Sequence, residues 1–433
     1  MKKNMIIYQM ALRTFTPDGT LKAAQRLLSF VASLNVDVVY LCPVFKAGND
    51  EDTATWSPRQ RASNTNNPKN PYKMADYFNV DEEYGTNDDL KAFVTEAHRN
   101  GLKVIFDLVY LHCDKAAVFI KEHPEFVERD DNGETAVGEE WPFARLNYKC
   151  RQLREYLFSN MESFVKEYKV DGFRCDVGDM IPLDFWQEAF DRLKKIKPDL
   201  ITLNEGTVPE YIKKTFDMGY AFEWNNTLVD VFSDKKTAAD LKVHCADEQK
   251  KYGDGIHKLI RTIDTHDFAN ECGINRNEIT MTSRGVEAAL VINNTYCGVP
   301  FMWNGYEVCD NAENCMFSNR FYGRRSAINW SRAFTPEGIR RREFIKNIHN
   351  LHHHSEALYM GEIEWVENDM PEQVISYIRR TENSAVAVIV NTQNKPIKIN
   401  VPIKLGSVFM KSEVVISDKI TMGAYGYIIA ATE

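Results

Sequence analysis

The 433-residue sequence lacks most of the features that mark membrane, zinc-ribbon and nucleotide-binding proteins. It has no run of about 18 apolar residues, so we expect neither a membrane-spanning helix nor a signal segment. The nine cysteines are scattered and form no CxxC pair, which argues against a zinc site and favours reduced thiols in a cytoplasmic protein. No GxGxxG or GxxxxGKS motif follows a predicted strand, which weakens a nucleotide-binding interpretation.

Basic residues are also too few for a nucleic-acid partner. Lys and Arg total 53 against 62 Asp and Glu, so the formal net charge is -9 and no basic surplus neutralises phosphates. Hydrophobic residues make up 44% and charged residues 27%, as in ordinary soluble globular proteins. The length allows about three domains, although a single α/β barrel often exceeds the usual domain size.

The dominant pattern is a short apolar strand followed by an amphipathic helix. Eight such units predict a (β/α)₈ TIM barrel over residues 1–355, with a doubly wound open sheet as the alternative. Helical patterns lie near residues 20–34, 87–100, 150–168, 184–196, 208–217, 236–252, 280–290 and 336–351. The predicted strands are Met5–Ala11, Val36–Pro43, Leu102–Val109, Val170–Asp176, Leu200–Glu205, Gly219–Trp224, Leu259–Thr265 and Thr295–Trp303.

The last part of the chain has a different pattern. Short alternating runs joined by polar residues predict an all-β sandwich domain over residues 356–433. Two irregular stretches interrupt the barrel: residues 46–71 after the second strand, and a reduced insert, residues 113–147, after the third. Both follow the carboxyl ends of strands, where barrel active sites are built.

Residues able to do chemistry are concentrated at these strand ends. Asp176, Glu205 and Asp267 follow the fourth, fifth and seventh strands, so we expect three carboxylates at one mouth of the barrel. Arg174 and Asp176 are two residues apart on a strand and point the same way. Glycoside hydrolysis with retention needs one ionised and one protonated carboxyl flanking the scissile bond. We expect Arg174 to keep Asp176 ionised and neighbouring carboxylates to keep a proton on Glu205.

These segments resemble the α-amylase superfamily of glycoside hydrolases, family 13. The resemblance runs from about Tyr8 into the C-terminal domain, and each motif lies in the family's order and at its strand end. The matching segments are Tyr72–Tyr77, Asp107–His112, Gly172–Asp176, the Glu205 segment, His266-Asp267 and Gly298–Pro300.

By this resemblance the protein is a retaining hydrolase of α-1,4 bonds in malto-oligosaccharides or related α-glucans. Asp176 is then the nucleophile, Glu205 the general acid and base, and Asp267 the third carboxylate, which stabilises the transition state. The implied substrate-binding residues are Tyr72, which stacks on the sugar, Asp107, which supports the site, and His112, Arg174 and His266, which bind hydroxyls. Two alternatives stay open: a glycosyl-transferring relative, either a transglycosylase or a sugar phosphorylase, and a catalytically silent binding barrel.

The sequence also departs from the family pattern. Leu111 stands where the family usually has an Asn that helps to bind structural calcium, and an apolar side chain offers no oxygen to a hard cation. We therefore expect no required cofactor and no metal ligand, with a structural calcium left open. Asp179-Met180 replaces the Lys-His that holds polymers in many relatives, which argues against binding of long chains.

Three further groups have two interpretations each. The histidines at 349, 352, 353 and 354 fit the end of a helix better than a metal site. Trp141, Trp224 and Trp303 could stack on sugars or fill the core. Cys113 and Cys175 flank site residues but have no task in a carboxylate mechanism.

Overall fold

The first part of the chain folds into a closed barrel of parallel strands. The computed structural model describes residues 4–268, 276–322 and 327–433. The strands are β1 (Ile7–Met10), β2 (Val38–Leu41), β3 (Lys103–Leu108), β4 (Gly172–Cys175), β5 (Ile201–Asn204), β6 (Met218–Gly219), β7 (Ile260–Arg261) and β8 (Val299–Trp303).

These strands follow one another around the sheet in the order β6-β5-β4-β3-β2-β1-β8-β7. All of their pairings are parallel, and a bridge between Gly219 and Leu259 brings the two ends of the sheet together. The predicted (β/α)₈ barrel is thus confirmed, and the open doubly wound sheet is excluded.

Helices cover the outside of the barrel and follow the predicted pattern. In Asn87–Arg99, Leu90 and Phe93 lie on the buried stripe, and Thr86 forms a capping box with Asp89. The α-helices are Leu12–Phe15, Leu21–Gln25, Leu28–Ala32, Pro58–Ala62, Asn87–Arg99, Arg151–Ser163, Leu183–Ile196, Pro209–Lys214, Phe222–Phe232, Ala238–Tyr252, Asn277–Thr280, Thr282–Thr295, Pro336–His354 and Glu356–Met360. None of the helices in the described ranges has the length and apolar character needed to cross a membrane.

The predicted sixth strand, Gly219–Trp224, is wrong over most of its length. The strand stops at Gly219, and a helix begins at Phe222. The physical reason is the spacing of the apolar residues, since Trp224, Leu228 and Val231 are buried along one helical face. The Trp224 indole also donates a hydrogen bond to Asn293 Oδ1, which fixes this helix against the neighbouring helix.

The two irregular stretches fold over the carboxyl ends of β2 and β3. The first is enclosed by a hairpin of Phe45–Ala47 with Met74–Val80. The second is the insert over residues 113–147, which is short and held by pairing of His112–Cys113 with Ala144–Arg145. Both stretches thus contribute loops to the mouth of the barrel.

The C-terminal part is an all-β unit of six antiparallel strands: β9 (Glu362–Trp365), β10 (Val374–Arg380), β11 (Ala385–Asn391), β12 (Ile397–Ile399), β13 (Leu405–Ile416) and β14 (Ile420–Thr432). The predicted all-β C-terminal unit is thus confirmed, and its strands are joined by hydrogen bonds into one sheet. The cause is the length of β14, which pairs with β12 near its start and with β11 near its end.

This sheet has a buried face on each side. Tyr377, Val388 and Ile429 belong to the apolar cluster of the barrel, whereas Ile389, Met422 and Ile428 form a second cluster on the opposite face. Because one core runs through both parts of the molecule, the domain boundary near residue 355 stays a prediction.

Candidate active site

A cavity of about 100 Å³ opens where the barrel strands end. Its lining includes six of the eight predicted site residues: Tyr72, His112, Asp176, Glu205, His266 and Asp267. The other two, Asp107 and Arg174, are buried next to it and are bonded to lining residues. The structure therefore brings all eight residues into one constellation.

Arg174 on β4 holds the carboxylates of this constellation together. Its Nη1 donates hydrogen bonds to Asp107 Oδ1 at 2.7 Å and to Asp176 Oδ1 at 2.8 Å. Its Nη2 lies 2.8 Å from Glu205 Oε2. The Arg174 side chain is fully buried, and a buried cation is tolerated only where opposite charges and acceptors surround it.

Three tyrosine rings complete the surroundings of this guanidinium. The centroids of Tyr40, Tyr72 and Tyr220 lie 5.7 to 5.8 Å from its central carbon. The hydroxyls of Tyr40 and Tyr72 both donate to Asp107 Oδ2, at 2.6 and 2.9 Å. Asp107 is thereby fully engaged by donors and acts as a support for Arg174.

The backbone after Asp176 has a strained conformation. Val177 has a positive φ of 39°, which is rare for a β-branched residue and costs about 1–3 kcal/mol. In this conformation its N–H donates to Glu205 Oε2 at 2.7 Å. The strained turn thus connects the loop that follows Asp176 directly to the second carboxyl group.

The pKa of Glu205 suits a general acid. Burial raises this pKa to about 7; Arg174 opposes the shift and the charge of Asp267 adds to it. A carboxyl with a pKa near 7 holds a proton for a substantial part of the time at neutral pH, as general acid catalysis requires. The sequence-based expectation for Glu205 therefore agrees with its surroundings.

The expectation for Asp176 needs a correction. Arg174 does lower the pKa of Asp176, but burial and the charges of Glu205 and Asp107 outweigh it, so this pKa is raised well above its ordinary value. Asp176 and Glu205 therefore titrate as an interacting pair. A pair that shares one proton near neutral pH still supplies one carboxylate and one carboxylic acid.

Asp267 differs from the other two carboxyls because its pKa is lowered. Burial acts to raise this pKa, but His266, Arg59 and Arg174 outweigh the burial effect. Arg59 Nη1 lies 2.9 Å from Asp267 Oδ1, and Arg59 Nη2 donates to the main-chain oxygen of Asp267 at 2.8 Å. Asp267 is therefore the carboxylate that stays ionised throughout the working pH range.

The tautomer of His266 is fixed by Gln9 on β1. The backbone N–H of His266 donates to Gln9 Oε1, so the amide nitrogen of Gln9 faces His266 Nδ1 at 2.6 Å and donates to it. The proton of His266 then lies on Nε2, which donates to the Tyr72 oxygen at 2.8 Å. Burial lowers the pKa of His266 to about 4, so the ring is neutral at pH 7.

His112 is neutral for the same reason. Burial lowers its pKa to about 4, and its Nε2 donates to the main-chain oxygen of Tyr72 at 2.9 Å. The rings of Trp141 and Phe143 lie 5.6 and 4.9 Å from its own ring and line the cavity. Trp141 is thus available to a sugar, whereas Trp224 and Trp303 are buried in the core.

Sequence reasoning missed four members of this site: Gln9, Tyr40, Arg59 and Tyr220. A signal existed for Gln9, because it is a polar residue inside an otherwise apolar strand, and buried polar groups need partners. No pattern marked Arg59, which reaches the site from the short helix Pro58–Ala62 within the polar stretch after β2.

The remaining groups have structural roles. Burial raises the pKa of Cys113 and Cys175, so both thiols stay protonated. His349 and His352, near the end of their helix, donate to the main-chain oxygens of Leu34 and Asn294 on neighbouring parts of the barrel. No cluster of three or more metal-ligating side chains occurs among the residues that the structure describes. Cys272 lies outside the described residues.

Asp179, which replaces a lysine of the family pattern, is engaged inside the protein. Its carboxylate accepts hydrogen bonds from Asn204 Nδ2 at 2.6 Å and from the Val208 N–H at 2.8 Å. Asp179 therefore connects the loop after β4 to the segment that carries Glu205.

Comparisons with known proteins find similar sequences. The family model described as "Alpha amylase, catalytic domain" matches residues 7–133. Alpha-amylase 2 of Dictyoglomus thermophilum is 22% identical over 395 residues, which cover 87% of this chain and 64% of that protein. A cyclomaltodextrinase of Geobacillus thermopakistaniensis is 24% identical over 417 residues, 89% of this chain and 64% of its own length. The chain thus spans less than two thirds of these curated relatives.

Solved structures show the same fold along the full chain. A noncanonic maltogenic alpha-amylase, AmyB from Thermotoga neapolitana, superposes with a TM-score of 0.81 at 24% identity, covering 100% of this chain and 99% of AmyB. An alpha-amylase from Lactobacillus plantarum gives a TM-score of 0.80 at 20% identity, with 100% and 99% coverage. Taken together, the family model over residues 7–133 and the curated relatives make this chain similar in sequence to α-amylase family proteins, and the solved structures show that it shares their fold.

Proposed function

We propose that the protein is a retaining glycoside hydrolase that cleaves α-glucosidic bonds, most directly α-1,4 bonds, in malto-oligosaccharides or related α-glucans. The observation that carries this proposal is the pair Asp176 and Glu205 on one buried arginine, in a cavity that a third carboxylate also lines. Similarity to α-amylase family proteins supports it, because the retaining mechanism uses such a pair.

In the first step an Asp176 oxygen attacks the anomeric carbon while Glu205 gives its proton to the glycosidic oxygen. The bond between that carbon and that oxygen breaks, the shortened sugar leaves, and a glycosyl ester forms on Asp176. Arg174 contacts both carboxyls and stays charged while the proton moves. It therefore stabilises the negative charge on whichever of the two carboxyls is ionised.

In the second step Glu205, now ionised, takes a proton from a water molecule. The water oxygen attacks the anomeric carbon, and the ester bond to Asp176 breaks, which restores both carboxyls. Asp267 and the neutral rings of His112 and His266 line the same cavity and would bind sugar hydroxyls. Such hydrogen bonds strengthen as the ring acquires oxocarbenium character.

Short substrates fit these surroundings better than long polymers. Asp179 is engaged with Asn204 and Val208 and offers no cation to a chain on the leaving-group side. Relatives carry names such as cyclomaltodextrinase, maltogenic alpha-amylase and neopullulanase. We therefore include cyclic and branched oligosaccharides in the substrate class to be tested.

The test is product analysis on maltotriose, a cyclomaltodextrin, pullulan, isomaltose and starch. We expect α-anomeric products from at least one α-1,4-linked substrate. NMR determines the anomeric configuration of these products before mutarotation mixes the two anomers. Asp176→Asn should abolish turnover, whereas Asp184→Asn, an exposed change on the next helix, should not. β-Anomeric products, or full activity of Asp176→Asn, would refute the mechanism.

Added inorganic phosphate or acceptor sugar separates hydrolysis from transfer. A hydrolase releases the same products with or without phosphate or an acceptor sugar. A phosphorylase would form a sugar phosphate instead, and a transglycosylase would form a longer sugar. No product from any substrate would support the silent barrel instead.

We propose that activity needs no calcium at the position usual in the family. Leu111 has no side-chain oxygen there, and its main-chain oxygen already accepts a hydrogen bond from Leu146. A chelator should leave the melting temperature unchanged, and a large decrease would contradict this.

A cytoplasmic location is part of the same proposal, since the eight described cysteines form no disulfide.

A further inference from the structure

Arg59 makes a two-point contact with the third carboxylate of the site. One guanidinium nitrogen contacts the Asp267 side chain and the other contacts the Asp267 main-chain oxygen, at 2.9 and 2.8 Å. This contact joins the loop after β2 to the segment after β7, two parts of the chain that are far apart in sequence. It fixes both the side chain and the backbone of Asp267.

The helix that carries Arg59 is held firmly in place. Ser57 caps the helix Pro58–Ala62 by accepting from the Gln60 N–H at 3.1 Å. The Gln60 side chain, which is fully buried, donates to the main-chain oxygens of Asn67 and Pro68. Arg59 therefore projects from a small ordered unit rather than from a loose loop.

The contact engages only one oxygen of Asp267. Oδ1 is engaged by Arg59, whereas Oδ2 is buried without a hydrogen-bond partner among the described residues, 3.4 Å from His266 Nε2. The Asp267 side chain is 27% exposed and lines the cavity, so its carboxylate lies within reach of a sugar hydroxyl bound there.

The charges of the side chains around the cavity indicate an electrostatic role for Arg59 in addition to packing. Among the cavity-lining residues that the structure describes, it is the only lysine or arginine, against the carboxyls of Asp176, Glu205 and Asp267. Arg174 is the second cation and is already shared among Asp107, Asp176 and Glu205.

The other groups that face Asp267 keep their charge state at mildly acidic pH. His266 is neutral there, since its pKa is about 4, and burial raises the pKa of Tyr220 and of Cys42. Glu205, with a pKa of about 7, titrates at higher pH, and Arg174 stays charged.

We propose that Arg59 is a positioning residue for the proposed reaction: it holds Asp267 ionised and oriented so that one carboxylate oxygen is presented to a hydroxyl of the sugar being cleaved. This inference rests on the proposed function. It assigns a task to the loop over residues 46–71, which the family motifs do not cover.

The test compares Arg59→Met and Arg59→Lys with a matched control, Arg61→Met. Arg61 lies on the same helix and donates to the main-chain oxygens of Thr53 and Trp56 without contacting Asp267. The kcat and KM for maltotriose are measured from pH 4.5 to 8. Maltotriose binding to the same variants in an Asp176→Asn background is followed by calorimetry over the same range.

An opposite charge at contact distance lowers a carboxyl pKa by about 1–3 units. Arg59→Met should therefore move the acid limb of binding, and the contribution of Asp267 to the acid limb of kcat/KM, upward by about one unit, with the loss confined to the acidic end of the range. At pH 8 the loss should be smaller. Arg59→Lys should restore the limb because it keeps the charge, and Arg61→Met should match the parent.

An acid limb that stays in place in Arg59→Met, or that moves equally in Arg61→Met, would overturn the inference. The two proposals fail in different ways. A parent protein that binds maltotriose in an Arg59-dependent manner but releases no product would refute hydrolysis and leave the role of Arg59 standing. Unchanged maltotriose binding by an Asp267→Asn variant would show that Asp267 does not bind the sugar, and would therefore refute the role proposed for Arg59.

Discussion

The protonation state of each residue in this site is set by the neighbours to which it is hydrogen-bonded. Gln9 illustrates this, because its amide oxygen is fixed by the His266 backbone N–H, which leaves its amide nitrogen to donate to the His266 ring. The chain of donors then runs through Tyr72 to Asp107 and Arg174 without an ambiguous position. A neutral His266 with its proton on Nε2 is the consequence.

Replacing Gln9 with Glu should disturb this chain. A carboxylate would attract a proton to His266 Nδ1, raise the pKa of His266 from about 4, and leave the ring charged in the acidic range. Loss of the present hydrogen bond suggests a decrease in kcat/KM of roughly ten- to a hundredfold, greatest at low pH. The pH profile of kcat/KM checks this, with the exposed change Gln152→Glu as control. A profile with unchanged limbs would show that Gln9 does not set the state of His266.

Structural elements place these residues, and the sequence predicted the elements unevenly. The strand ends that carry Asp176 and Glu205 were predictable because apolar runs and helices alternate at regular spacing. The end of β6 was not, because the run from Gly219 to Trp224 is mostly apolar and too short to show its period. Arg59 was not predictable either, since its partner Asp267 is distant in sequence and only the fold brings them together.

The segment that carries Glu205 depends on one close contact. A Cβ at Gly206 would lie 2.2 to 2.3 Å from the carboxyl atoms of Asp179, which is itself bonded to Asn204 and Val208. Gly206→Ala should therefore displace this segment and misplace the general acid.

We expect kcat of Gly206→Ala to fall by up to about a hundredfold, because small displacements of catalytic groups are costly. Gly255→Ala is the matched control, since its Cβ would meet no atom closer than 3.7 Å. The measurement is kcat together with the melting temperature of both variants. A Gly206→Ala variant with parental kcat would show that the contact does not position Glu205.

On the scale of the whole molecule, the barrel and the C-terminal sheet share one core. Arg379 on β10 is fully buried at this junction and donates to the main-chain oxygens of Gly361 and Thr295. Thr295 is the last residue of a barrel helix, so Arg379 also interacts favourably with the negative end of that helix dipole.

Arg379→Met should lower stability without affecting chemistry. It leaves two buried oxygens without their donor, and each such loss costs about 1–3 kcal/mol. The partly exposed neighbour Arg380, which pairs with Glu364, should tolerate the same change to within about 1 kcal/mol. Urea unfolding and kcat of the two variants provide the comparison. Equal stability of the two, or loss of kcat in a folded Arg379→Met, would contradict this role.

The proposed mechanism requires Asp176 to form a covalent bond with the sugar during turnover. The most direct measurement is mass spectrometry of the protein after incubation with a fluorinated α-glycosyl fluoride, which slows the second step. We expect a mass increase of one glycosyl unit, located by peptide mapping on Asp176 and absent in Asp176→Asn. A label on another residue, or no label on a protein that turns over α-glucans, would contradict it.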